Sequence, residues 1–333
     1  ATLTLDGVYI NVSDKAASPL EIAEGSTGAV SVVLKGTNVL TAGEKAAGIQ
    51  KNGTADGTLT ISGSGALTAQ GGKYGAGIGS GYEKAGSNIC ISGGEVTAIG
   101  GYGGAGIGGG MYGAGSSITI SGGMVTTTGG AYGAGIGGGY CGVGSNITIT
   151  GGIITATGGA YGAGIGGGYC GVGSNITITG GIITATGGSC GAGIGGGDSR
   201  DGNDISISGG TVTATGRGTK SDIGGGTGGS TGKVTITGGS VKTTNGALTG
   251  VTNGIDTVYY TEVDLSEEYG AEAAVTDVGE TAYGMKDVRT DADGKIYMYL
   301  PADENGTTIV FGTHFYSGTV SAEAGADNRL TRG

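Results

Sequence analysis

Proline is nearly absent from this chain: 2 of 333 residues, with no tryptophan and one histidine, His314. Charged side chains make up 13%, about half the share of ordinary soluble domains. Acid–base pairs and metal-ligand clusters therefore have few residues to draw on. No apolar run approaches the roughly 18 residues of a membrane-spanning helix, which argues against membrane insertion. The net charge of −11 argues against nucleic acid as a partner. The four cysteines, Cys90, Cys141, Cys170 and Cys190, form no C-x-x-C pair, so a zinc site is not indicated. Ala1 opens directly in strand-like sequence, without a basic start or apolar core, which points to a mature or excised form.

What is abundant is glycine, at 85 residues. Without a period, that content would signal disorder. Here it is strictly periodic. Residues 131–159 and 160–188 are identical, reading AYGAGIGGGYCGVGSNITITGGIITATGG. The isoleucine of Ala-Gly-Ile recurs 29 residues apart at Ile49, Ile78, Ile107, Ile136, Ile165 and Ile194, and a degenerate copy places Ile223 in the same column. A fixed period of this size predicts a repeat architecture.

Each unit divides at glycine pairs into three extended runs, Tyr132–Gly137, Ser145–Thr150 and Ile153–Thr157 in one copy. Apolar and polar residues alternate, β-branched residues dominate, and no helical spacing competes. Columns across the repeats assign direction. Val96, Val125, Ile154, Ile183, Val212 and Val241 are always β-branched and apolar, so they face a core. Their neighbours Glu95, Met124, Ile153, Ile182, Thr211 and Ser240 tolerate charge and face solvent. Ile147, Ile149, Ala134 and Ile136 point inward, with Thr148, Thr150 and Gly135 outward. One coil cannot bury its apolar stripe alone, whereas a stack makes one continuous core. The expected fold is all-β: a three-faced, right-handed parallel β-helix of 29-residue coils, about 40 Å long at about 4.8 Å per coil. Residues 1–45 keep the alternation without the glycine motif and read as N-terminal capping coils. Residues 46–256 are the helix. Residues 257–333 read as a small β module whose aromatic core includes Phe311, Phe315, Tyr259, Tyr260, Tyr297 and Tyr299.

Several groups are candidate sites. One set of threonine ladders is Thr126/Thr128, Thr155/Thr157, Thr184/Thr186 and Thr213/Thr215. A second runs through Thr119, Thr148, Thr177, Ser206 and Thr235, paired with Ser121, Thr150, Thr179, Ser208 and Thr237. Their grid, about 6.6 Å by 4.8 Å, could match ice or a sugar polymer, although threonine is also an ordinary exposed strand residue. Tyr74, Tyr132 and Tyr161 share a column, and Tyr82, Tyr140 and Tyr169 share another, with Met111 between. Tyrosine beside bare glycine suits sugar stacking, and equally suits a ladder that merely covers a coil corner. Asp198, Asp201 and Asp204, near a glycine turn, offer oxygen ligands to calcium, with Asp222 a fourth from the next coil. A solvated loop explains them as well. Cys141 and Cys170 share a column at a separation a disulfide permits. The glycine string Gly133–Gly139 lacks the following helix that phosphate binding needs. A lyase or hydrolase would have to rely on Asp198, Asp201, Asp204 and Arg200.

The units G-A-G-I-G-G-G and N-I-T-I-T-G-G-x-I-T-A-T-G-G resemble glycine-rich repeats of large secreted or wall-attached proteins of gut bacteria, over roughly residues 46–245. Thr290–Pro301 is similar to a short module that follows such repeats. The resemblance implies an extracellular, adhesin-like setting with polysaccharide or host-glycan contact. It supplies no catalytic residues. The reading that results is a non-catalytic surface scaffold with multivalent carbohydrate binding; an ice-binding face, a passive stalk and a polysaccharide lyase or hydrolase are its rivals.

Overall fold

The fold is given by a computed structural model. It describes residues 1–53, 57–217, 221–245, 248–275, 283–323 and 325–333, apart from the side chain of residue 304.

Every described regular element is a strand. A representative coil contains Ile136–Gly137, Gly144–Ile149 and Ile153–Thr157. Each pairs in parallel with its counterpart one coil away: Ile136↔Ile165, Ile147↔Ile176 and Ile154↔Ile183. The offset is 29 residues, so like stacks on like and the parallel β-helix forms. Eight short strands, Glu21–Ile22, Ile49–Lys51 and six Ile-Gly pairs, stack in one sheet, spanning about 34 Å from first to last at 4.8 Å per step. The N-terminal residues join the same stack, with Thr2↔Ser31 and Glu21↔Gln50 in register.

The core contains the predicted columns. Ile136, Ile147, Ile149, Ile154 and Ala134 are all buried, and so are their equivalents from coil to coil; the column of Ala156 joins them. Each isoleucine so buried stabilises by about 1.5–3 kcal/mol relative to exposure.

The glycine-rich run departs from expectation. Only Ile136–Gly137 is strand, and residues 132–135 form a turn. Gly135 is buried rather than solvent-facing. Local bonds explain this: the Gly133 amide donates to Gly130, and the Ala134 amide to Gly138. Close approach explains the glycines. A Cβ on Gly133 would collide with the carbonyl of Gly104 in the previous coil, and one on Gly135 would meet the Thr157 amide and the Gly164 carbonyl. Gly137, at φ 130°, adds a backbone conformation that L side chains avoid.

Two non-glycine columns also sit in the left-handed region. One is Asn88, Ser117, Asn146, Asn175 and Asp204, at φ 51–56°. It lies within the second strand, between the paired positions Ser145 and Ile147. Asn and Asp tolerate this conformation best, and the Asn175 side-chain amide donates to Asn146 Oδ1. The other is Glu83, Tyr112, Cys141, Cys170 and Ser199, at φ 52–65°.

Five strands of the C-terminal segment form a sheet in the order Lys295–Pro301, Val258–Asp264, Arg329–Arg332, His314–Val320, Asp303–Phe311. Its core contains Val263, Ile296, Met298, Phe311, Tyr316 and Leu330. Phe315 does not join it. It is 61% exposed, because alternation along His314–Val320 turns Tyr316 inward instead. The module closes the end of the stack. Val258 and Tyr299 belong to the solenoid's own core, and the Tyr297 amide donates to Ser240 Oγ at 3.0 Å. Ser240, expected at a solvent-facing column, is thereby buried.

Candidate functional site

The tyrosines form one connected surface cluster. Tyr132 and Tyr161, one coil apart, stack with centroids 5.1 Å apart and planes 9° from parallel. Tyr140 and Tyr169 follow at 5.4 Å. The two columns also touch each other: Tyr74 with Tyr82 tilted at 5.5 Å, and edge to face Tyr132 with Tyr140 at 5.1 Å and Tyr161 with Tyr169 at 5.3 Å.

Two further members lie one residue out of register. Where the first column has Gly103, Tyr102 leans in and meets Tyr132 at 5.0 Å. Where the second has Met111, Tyr112 bridges Tyr82 at 6.0 Å and Tyr140 at 5.0 Å. The cluster thus spans four coils without a break. Tyr102 and Tyr112 are its most open members, 50% and 48% exposed; the other six are half-buried. Column comparison missed both, yet each stands directly beside the gap it fills, and that adjacency was a readable signal.

Phenol chemistry in the cluster is that of neutral donors. A hydrogen bond with Tyr102 raises the Tyr132 phenol, and the neighbouring Cys141 raises that of Tyr140. Tyr169 is raised by its hydrogen bond with Cys170, and Tyr82 by one with Glu83. At the N-terminal end of the cluster, Lys45 and Lys73 place their ammonium groups 5.3 and 4.9 Å from the Tyr82 and Tyr74 ring centres. A shallow depression of about 330 Å³ there is lined by Glu44, Lys45, Tyr74, Tyr82 and Met111. Aromatic walls with a carboxylate, an ammonium and phenols can take a polyhydroxylated ring, stacking on its C–H face and bonding its hydroxyls.

The first threonine ladder is continuous. Thr126, Thr155, Thr184 and Thr213 are in register, as are Thr128, Thr157, Thr186 and Thr215. Thr126, Thr155, Thr184 and Thr128 are exposed, whereas Thr157 and Thr186 are half-buried. The second ladder is interrupted. Thr179 pairs with Gly209 and Ser208 with Gly238, a one-residue slip from the expected partners Ser208 and Thr237. The slip falls at the glycine corner, where the strands of these coils run on through the bend.

The aspartates do not converge. Asp198 accepts from the Ser199 hydroxyl, Asp201 accepts from the Ser230 amide at 2.7 Å, and Asp204 is exposed at a left-handed position. Asp222 is buried. It accepts from the amides of Gly216 (2.5 Å) and Asn245 (2.7 Å) and from the Asn245 side chain (2.8 Å), so it staples a coil corner rather than joining the other three. Among the described residues no three His, Cys, Asp or Glu side chains group to hold a metal ion. Arg200 uses its Nε on the Cys170 carbonyl. All four cysteines carry free thiols; burial, and then the adjacent Cys170, raise the Cys141 thiol.

Six successive matches to the family described as Beta helix repeat cover residues 59–82, 89–111, 118–140, 147–169, 176–198 and 205–231. Residues 59–231 belong to the β-helix repeat family. The matched segments contain every ring of the tyrosine cluster except Tyr112, which falls between the second and the third. No curated protein and no solved structure shows a significant match to the chain.

Proposed function

We propose that the chain is a non-catalytic, extracellular scaffold of a bacterial surface protein, and that its tyrosine cluster makes multivalent contact with a polysaccharide or host glycan. The observation that carries this reading is the continuity of eight rings over four coils, with Tyr102 and Tyr112 half exposed. Coils repeat at about 4.8 Å, close to the length of one sugar residue, so a polymer lying along the stack meets an aromatic ring at each step. Individually weak contacts then act together.

A screen of polysaccharides and mucin glycans on the intact chain tests this. A responsive glycan should lose at least tenfold in retention with Tyr102→Ala and Tyr112→Ala combined, while circular dichroism and melting stay unchanged. Unaltered retention in that variant refutes the tyrosine role. A passive stalk is the second reading, favoured by the edge-to-face contacts that engage these rings with one another. It predicts silence across the screen.

A further inference from the structure

The glycine pair between the second and third strands forms a corner that lines up along the stack: Gly93-Gly94, Gly122-Gly123, Gly151-Gly152, Gly180-Gly181, Gly209-Gly210 and Gly238-Gly239. The second glycine of each pair has φ between 86 and 97°. At the last three corners its amide is taken by a strap from the C-terminal module. Gly239 donates to the Gly284 carbonyl at 2.5 Å, Gly210 to the Lys286 carbonyl at 2.6 Å, and Gly181 to Asp287 Oδ2 at 2.9 Å. The strap is also tied by the Gly284 amide to Thr237 and by Lys286 Nζ to the Thr150 carbonyl. Bare corners make room for it: a Cβ on Gly238 would lie 2.5 Å from Gly284 Cα, and one on Gly180 would lie 2.7 Å from Asp287 Oδ2.

The strap ends but the groove does not. Gly152, Gly123 and Gly94 hold the same backbone conformation, and their amides donate to none of the described residues. The flanking column shows the same contrast. Ser240 is buried and Thr211 and Ile182 half-buried beside the strap, whereas Ile153 and Met124 are 47% and 50% exposed beyond it. A depression of about 290 Å³, lined by Gly152, Ile153, Ile182, Asp287 and Val288 among others, joins the occupied corner to the open one.

We propose that the open corner Gly94–Gly123–Gly152, with Met124 and Ile153, docks an extended, aspartate-bearing peptide of another protein, in line with the strap and by the same contacts. Backbone carbonyls and a carboxylate supply the acceptors that the glycine amides lack. Apolar side chains of the peptide cover Met124 and Ile153. Main-chain bonds to a repeating edge give such docking its affinity, and side-chain pockets its selectivity.

The probe is a fluorescent peptide with the sequence of residues 283–291, titrated against the full chain by anisotropy. Saturable binding is expected, weakened about tenfold or more by Met124→Glu with Ile153→Glu, because charged side chains then replace the apolar surface that the peptide covers. These variants should fold, since Glu95 already occupies that column. Replacing the peptide aspartates by asparagine should weaken binding similarly. Absence of saturation at millimolar peptide overturns the proposal. Binding unaffected by the glutamate pair overturns it too, since the peptide would then only be displacing the chain's own strap. Concentration-dependent dimerisation abolished by the glutamate pair would assign the corner to a second copy and likewise overturn it.

Discussion

Replacing Thr127 by valine should make the solenoid more stable. Thr127 stands in the inward column that otherwise reads Ala98, Ala156, Ala185 and Ala214. It is fully buried, and its hydroxyl has no hydrogen-bond partner among the described residues. A buried polar group left unpaired costs about 1–3 kcal/mol. Valine removes that cost, keeps the branched shape and β preference, and buries a methyl for about 0.8 kcal/mol more. Crowding opposes the gain, because a Cβ added on Gly106 would lie 3.0 Å from Thr127 Cβ, so the site has little slack. The net expectation is about 1–2 kcal/mol. For a chain of this size that corresponds to a rise of about 1.5–3 °C in the main calorimetric transition. Thr127→Ala should gain less, since it also gives up a buried methyl and leaves a small cavity. A repeat array need not unfold as one unit, so urea and heat should both be used. Valine destabilising by more than about 0.5 kcal/mol would show that the hydroxyl is satisfied, and the argument from an unpaired group would fail.

Three other outcomes are expected. Ile149→Ala should cost about 2–5 kcal/mol in urea unfolding, whereas Ile153→Ala, on an exposed column, should cost less than about 0.5 kcal/mol; similar losses would contradict the assigned directions. Burial alone would raise the Asp291 carboxyl, but hydrogen bonds from Lys242, Tyr297 and the amides of Lys295 and Asp293 hold it at about 2. Its folded value lies below the unfolded one, so its stabilisation is present above about pH 4 and is lost as pH falls towards 2; Asp291→Asn should weaken docking of the module near neutrality, with hydrogen exchange at Tyr297 and Tyr299 converging on wild type near pH 2, and a gap that persists there would refute the linkage. Tyr102→Ala with Tyr112→Ala should leave the melting temperature within about 1 °C, because both rings are half exposed, and a large drop would make the cluster a structural cover.

The stacking was legible because identical columns can only repeat if each coil lies over the last; Ile136, Ile147 and Ile154 announce it. What the columns hide is anything that crosses them. Tyr102 and Tyr112 enter the cluster from neighbouring positions, so a register-bound comparison leaves gaps where the surface has none. Gly135 reads as outward by alternation, yet residues 132–135 abandon the strand for a turn, and alternation has no meaning there. The Thr179 and Ser208 slip arises because the strand continues through its glycine corner, which the letters alone do not show. Asp222 resembles its acidic neighbours in sequence and differs from them only by burial. The strap is the extreme case: Asp287 lies 106 positions from Gly181, whose amide it accepts, with no periodic signal to link them.

These misses share a cause that bears on function. The inward columns are fixed by packing, where a change of one methylene is felt. The outward columns and corners are constrained only by backbone clearance, so a repeat can change what it displays without changing how it stacks. The identical copies 131–159 and 160–188 present their tyrosines in duplicate, while residues 198–204 replace the same turn with Asp-Ser-Arg-Asp-Gly-Asn-Asp on an unchanged core. The glycine corners follow the same logic: three are closed by the chain's own strap and three are open. A solenoid with that division gains selectivity by editing its turns one coil at a time, and avidity by leaving several of them alike.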